Sequence, residues 1–323
     1  MADGSCQLSS LIWASLEASG SPIARAWWLC KFVICFTYVT SILTRNYSQV
    51  DKLWSITPFL YAWILVVAGD ARTLLMAVLA TLWGLRLTYN FNRRGGYQWP
   101  PWKGEEDYRW AYLQKGFYIP VLKNRIVWHI FNFVFISVYQ NILLFLIAAP
   151  SIAAHLVATN QGSCFGTNAA TSLNTWDGLA TLLFLGFLLL ETVADNTQYS
   201  FQTEKYQRKN AGEPLEGDYA DGFCQSGVYA YIRKPNYTGE QGMWCSYCLF
   251  SVAALLSVNG TSYIDCFFNC TLLGPVLLVL LFQGSGDMTE AITISKYPIY
   301  TKYQERVPRY LPSLRSQNKQ KSI

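Results

Sequence analysis

The stretch Leu182-Leu183-Phe184-Leu185-Gly186-Phe187-Leu188-Leu189-Leu190 decides the fold of this chain, because it has no polar face at all. A helix that is apolar all round is covered by lipid or lies in a very large core. A chain of 323 residues is too short to build such a core. The composition agrees: 52% of residues are hydrophobic and only 14% are charged, against about 25% charged in a soluble domain. Twelve Trp and twenty-one Tyr suit the same setting, since amphipathic aromatics collect at membrane interfaces. The expected fold class is all-α, a polytopic membrane protein.

About 20 apolar residues cross roughly 30 Å of hydrocarbon. Runs of suitable length stand at about 26–44, 54–69, 73–91, 127–149, 176–194, 241–257 and 263–283. About seven transmembrane helices are therefore expected. They would form one membrane domain over 26–310, between an N-terminal segment, 1–25, and a basic tail, 311–323. No basic region followed by a small-residue cleavage site opens the chain, so no signal peptide is expected.

The charges are distributed unevenly. Of the 25 Lys and Arg, 21 fall in the four segments 45–53, 93–126, 195–240 and 284–323. By the positive-inside rule the N-terminus is expected in the lumen and the C-terminus in the cytosol. The last residues, Lys319-Gln-Lys321-Ser-Ile323, resemble the dilysine retrieval signal of endoplasmic-reticulum membrane proteins. Integral placement in that membrane is the expectation. Asn259-Gly-Thr261 is a glycosylation sequon, expected to be unmodified because it lies hard against the membrane.

The nine cysteines fall mostly in or beside apolar runs, which argues against a disulfide framework. Cys245-x-x-Cys248 reads as a pair of small apolar fillers one turn apart, and no second pair completes a zinc site. His129 and His155 each stand alone on apolar stretches and read as packing residues. No Walker loop, HExxH or strand-bound Gly-x-Gly-x-x-Gly is present. No metal site and no nucleic-acid partner are expected.

Three polar clusters carry the candidate chemistry. In the first, Arg86-Leu-Thr-Tyr89-Asn90-Phe-Asn92-Arg93-Arg94 closes the third apolar run. An Arg at membrane depth costs about 2.5–3.5 kcal/mol, and guanidinium forks there suit a phosphate or pyrophosphate. The loop that follows includes Trp99, Trp102, Glu105, Glu106, Asp107 and Arg109. It could bind a divalent cation, but reads better as a rigid lid at the membrane surface. In the second cluster, Glu191, Asp195, Gln198 and Gln202 step by four, three and four, and so share one helical face. Lys205 and Arg208 follow. In the third, Arg233-Lys234-Pro235-Asn236-Tyr237-Thr-Gly239-Glu240 leads into the sixth run, where Pro235 opens a helix whose N-terminal dipole is available to an anion.

The run Gly227 to Glu240, with Arg208-Lys209-Asn-Ala-Gly-Glu213 before it, resembles the C-terminal signature of the steroid 5α-reductase superfamily. The chain is similar more narrowly to the DUF1295 branch, through Ser48-Gln49-Val50-Asp51-Lys52-Leu53-Trp54-Ser55, Asn92-Arg93-Arg94-Gly95-Gly96-Tyr97, Gly104-Glu105-Glu106-Asp107-Tyr108-Arg109-Trp110 and Lys296-Tyr297-Pro-x-Tyr300-x-x-Tyr303. The resemblance implies a seven-helix fold, NADPH held in a cytosol-facing cavity, and reduction of a carbon–carbon double bond conjugated to a carbonyl in a steroid or other lipid. It implies cofactor binding by Arg86, Asn92, Arg93, Arg94, Asp195, Gln198, Arg208, Arg233, Asn236, Tyr237 and Glu240. It implies catalysis by Gln49 and Asp51 with Tyr89. Lys234 stands where the family usually has His. A membrane methyltransferase of the isoprenylcysteine type is the alternative, since that family shares a similar run. A non-enzymatic lipid-binding member of the fold is another.

Overall fold

The computed structural model describes residues 8–100, 102–159, 172–258 and 261–312. The sequon at 259–261, Cys6, Cys164 and the dilysine tail fall wholly or partly outside the described residues. Helix is the only regular structure among the described residues.

In chain order the helices are α1 (Leu8–Glu17), α2 (Pro22–Thr44), α3 (Gln49–Trp54), α4 (Thr57–Ile64), α5 (Ala71–Arg93) and α6 (Tyr108–Gln114). Next come α7 (Arg125–Phe131) and α8 (Gln140–Ile147), joined by a π-helical stretch at Asn132–Tyr139 into one continuous rod. They are followed by α9 (Pro150–Thr159), α10 (Thr175–Ala211), α11 (Asp218–Asp221), α12 (Pro235–Leu256), α13 (Tyr263–Phe267), α14 (Leu273–Lys296) and α15 (Tyr300–Arg306).

Local chemistry sets the helix starts. Ser21 Oγ accepts from Ala24 N at 3.0 Å while Pro22 takes the first helical position of α2. Asp70 Oδ1 accepts from Thr73 N at 2.7 Å to begin α5. Asn124 Oδ1 accepts from Ile126 N at 2.9 Å to begin α7.

Five helical segments are long and apolar enough to cross a membrane: Pro22–Thr44, Ala71–Arg93, Arg125–Ile147, Thr175–Ala211 and Tyr263–Lys296. They coincide with five of the seven expected runs. The other two differ. Residues 54–69 hold only the eight-residue α4 and turns, and eight residues rise about 12 Å, well short of the hydrocarbon. Helix α4 instead lies close against α5, where a Cβ on Gly84 would meet Phe59 at 2.6 Å. The run at 241–257 belongs to α12, which has 22 residues and is long enough to cross. Its 243–255 portion is nevertheless mostly packed inside protein, including Met243, Trp244, Tyr247, Phe250 and Leu255.

Helix α10, 37 residues, extends about 55 Å and so outruns the bilayer. Its apolar half is the opening stretch, and its polar half continues unbroken beyond the expected end at 194.

The chain has two compact units. The first comprises Met1–Leu182 and Trp244–Leu278, the second Leu183–Met243 and Val279–Ile323.

In the first unit, Trp83 and Trp244 meet edge to face at 4.8 Å in the core. Arg72 and Asp177 pair at 2.8 Å with side chains 3% and 1% exposed, joining the N-terminal ends of α5 and α10. Removing one member of such a pair costs about 3–5 kcal/mol, because the other is left charged in a dry site. His155 Nδ1 lies 2.9 Å from the Leu65 carbonyl, a packing role. Cys248 is buried near the Thr271 carbonyl and Cys245 faces outward.

Candidate functional site

In the first unit, α3 and the loop after α5 are held together residue by residue. Gln49 is buried; its amide donates to Thr44 Oγ1 and to Trp102 O, each at 3.1 Å, and its Oε1 accepts from Lys52 Nζ at 3.3 Å. Lys52 Nζ also donates to Lys103 O at 2.6 Å. Asn46 Nδ2 donates to Gly104 O at 3.0 Å, and Tyr47 N to Glu106 Oε1 at 2.6 Å. Trp110 Nε1 donates to Ser48 Oγ at 3.1 Å and to Asp51 Oδ2 at 3.2 Å. Gly104 sits at φ 126° against the Gly96 carbonyl, where a side chain would not fit.

These bonds make residues 102–110 a lid latched onto 46–52. Both ends of the Gln49 amide, expected to act in catalysis, are engaged in this latch.

Electrostatics divide the acids of the lid. Burial, and then the neighbouring Asp107 carboxylate, push the Asp51 carboxyl up. Burial raises Glu106 as well. Burial also works against ionisation of Asp107, but the Arg109 guanidinium, bonded at 2.8 and 2.9 Å, overrides it and holds this carboxyl below the usual range. Lys52 is lowered by burial.

At the end of α5, Arg86 is half-buried. The buried Asn90 Oδ1 accepts from Arg93 Nε at 3.0 Å and Nη2 at 2.7 Å, which aims the guanidinium over the Tyr89 ring. Tyr89, Asn92 and Arg94 are exposed.

In the second unit, α12 crosses α10 on two glycines. A Cβ on Gly239 would stand 2.6 Å from Glu191 Cβ and 2.9 Å from the Phe187 carbonyl, and one on Gly242 would enter the Phe187 ring. Small residues admit such close approach of helices. Beside this crossing Glu191 and Asp195 of α10 and Glu240 of α12 are all buried, and Gln198 and Asn236 are half-buried. Tyr237 packs edge to face on Phe282, with its hydroxyl 3.2 Å from Ser285 Oγ.

Arg233, expected to bind the cofactor, is held by partners on several segments. Its Nε donates to Glu290 Oε1 at 2.8 Å, its Nη2 to Glu290 Oε2 at 3.2 Å, and its Nη1 to the carbonyls of Gln304 and Val307. Arg309 Nη2 reaches the same Glu290 Oε2 at 2.9 Å, and Gln304 Nε2 does so at 2.8 Å. Arg233 is thus a staple between the start of α12, α14 and the C-terminal segment, with four of its five N–H groups engaged. Glu290 and Arg309, which the sequence reading did not single out as site residues, complete it. An acid near the end of an apolar helix was the available signal.

Along the polar half of α10 runs an open groove of about 440 Å³, lined by Asn196, Thr197, Ser200, Phe201 and Glu204 together with Tyr219, Cys224 and Ser226. Phe201 and Tyr219 stack face to face at 5.1 Å, and Arg208 lies 4.8 Å over the Tyr219 ring while pairing with Glu204. Arg208 keeps about a third of its side chain in solvent. Among the described residues no three His, Cys, Asp or Glu are grouped to hold a metal ion.

The arrangement defines a helical protein with membrane-crossing segments, a latched surface lid, and buried acids at one helix crossing. The chain belongs to the DUF1295 family, described as a protein of unknown function, whose model matches residues 37–307. A relative from Schizosaccharomyces pombe (strain 972 / ATCC 24843), the uncharacterized protein C594.04c, is 32% identical over 286 residues, covering 85% of this chain and 75% of its own length. No solved structure matches.

Proposed function

We propose that this chain is an NADPH-dependent membrane reductase of a carbon–carbon double bond conjugated to a carbonyl, acting on a steroid or other lipid. It works in the endoplasmic-reticulum membrane, with its N-terminus lumenal and its C-terminus cytosolic. The steroid 5α-reductase-like motifs support the reading, and one observation carries it. Glu191, Asp195 and Glu240 are buried beside a glycine-enabled crossing, with Asn236 and Gln198 at its edge. Carboxylates are the natural acceptors for ribose hydroxyls.

The donor set suits the cofactor in kind. The acids and Asn236 would hold hydroxyl and amide groups, and Arg208 of the same unit would hold a phosphate. When bound, NADPH supplies reducing equivalents. The remaining chemistry belongs to the chain. Asp51, its carboxyl raised by burial, holds a proton for the substrate, and Tyr89 is exposed at the end of α5. Arg233 and Gln49 take no part in this scheme.

The test is NADPH consumption by the purified protein on a panel of lipid enones. Asp51→Asn should lower turnover by about 10²- to 10⁴-fold, the worth of a positioned acid. No turnover on any enone, or an undiminished rate in the variant, would count against it. The locked Gln49 favours a second reading, a lipid-binding member of the fold without catalysis, for which cofactor binding without turnover is the signature. The methyltransferase reading predicts binding of S-adenosylmethionine instead.

A further inference from the structure

We propose that the outer surface of residues 99–125 is an anchor that lies in the headgroup layer of an anionic membrane. The inference rests on the membrane placement of the chain and is independent of the reductase reading.

The segment between the end of α5 and the start of α7 has two sides. Its inner side is packed: Trp110, Leu113 and Leu122 are buried, and Trp128 at the start of α7 is buried too. The turn at Gly116, φ 68°, folds the chain back so that Lys123 lies against it. Its outer side is apolar and exposed on this rigid base. Trp99 is 87% exposed and Val121 57%, with Trp102, Phe117, Tyr118 and Ile119 also facing out. Exposed aromatics fixed on a packed support are costly in water.

Two observations choose the occupant. First, the patch continues into the outward face of α7 and the π-helical stretch after it, where Ile126, Ile130, Phe133 and Val134 are exposed on a segment apolar enough to cross a membrane. The patch therefore stands where that face enters the bilayer, the depth at which Trp and Tyr belong. Secondly, bases outnumber acids on the outer side. Asp107 pairs with Arg109, and among the exposed charged side chains Lys103, Lys115, Lys123 and Arg125 stand against Glu105 and Glu106, the latter accepting from Tyr47. Exposed bases around an apolar patch are complementary to anionic lipid. A protein partner would be an alternative cover, and the experiment distinguishes it.

The full chain is reconstituted in phosphatidylcholine vesicles, with and without phosphatidylserine. Subtracting the emission of Trp99→Phe from that of the wild type isolates the Trp99 signal. Lipids brominated high on the acyl chain should quench that signal strongly, and aqueous iodide only weakly. Phosphatidylserine should strengthen the lipid quenching, and the double variant Lys115→Glu, Lys123→Glu should remove that increment while leaving the quenching in phosphatidylcholine. A Trp99 signal open to iodide and blind to bromolipid would overturn the anchor, provided the total tryptophan emission is still bromolipid-quenched. Loss of that total quenching would overturn the membrane placement itself.

Discussion

Asp51 makes the pH behaviour of the lid testable. Its carboxyl is raised by burial and by Asp107, so folding favours the protonated form. The sign follows from linkage. Below the ordinary carboxylate range the residue has no effect. As pH rises through that range towards the raised value in the folded state, the penalty for ionising it grows, and it is complete above that value. Asp107, held low by Arg109, runs the opposite way, losing its stabilisation as pH falls. The difference between wild type and Asp51→Asn separates the two. Wild-type thermal stability should fall relative to the variant as pH rises from about 4 to about 8. A constant gap, or one that opens in the other direction, contradicts the assignment. At the same scale, Arg233 has a structural pairing that its sequence neighbourhood does not show. Its partner Glu290 lies 57 residues away in the chain, and no local pattern announces that pairing.

At the scale of elements, the meeting of α10 with α12 depends on Gly239 and Gly242. Their spacing is visible in the sequence, but what they approach is not, since Phe187 and Glu191 belong to a distant helix. Gly239→Leu should destabilise by at least the 1–3 kcal/mol typical of overpacking, because it forces a side chain into Glu191 and the Phe187 backbone. Gly186→Ala on α10, with open space around it, should be neutral or slightly stabilising through helix propensity. Thermal unfolding in detergent checks both. Equal effects of the two substitutions would mean that the crossing is looser than described.

Elements also explain which spans were legible. Uniformly apolar runs such as 182–190 have a single interpretation. The run at 54–69 contains Ser55, Thr57 and Pro58 near its start and Gly69 near its end, and it resolves into α4 and turns. Helix α12 hides polar residues by internal pairing: Tyr247 lies 2.7 Å from Ser151 Oγ, and Ser251 accepts from Asn269 and Thr271. Composition alone does not separate such a helix from a lipid-facing one.

For the whole molecule, the membrane class was legible because it depends on composition, and the family followed from motifs spread along most of the chain. The lid was legible as an aromatic and acidic loop, but its attachment to 46–52 was not, because it is made largely by backbone carbonyls of residues 102–104. Five apolar segments emerge in both views.

The central claim is that this chain binds NADPH through the acids beside the α10–α12 crossing. It is tested most directly by equilibrium binding of NADPH to the full chain in lipid nanodiscs, comparing wild type with Glu240→Gln and Asn236→Ala. Saturable binding by the wild type, weakened at least about tenfold in each variant, is predicted, a tenfold loss being about 1.4 kcal/mol. Folded wild-type protein that does not bind NADPH, or variants that bind it as well as the wild type, would contradict the claim.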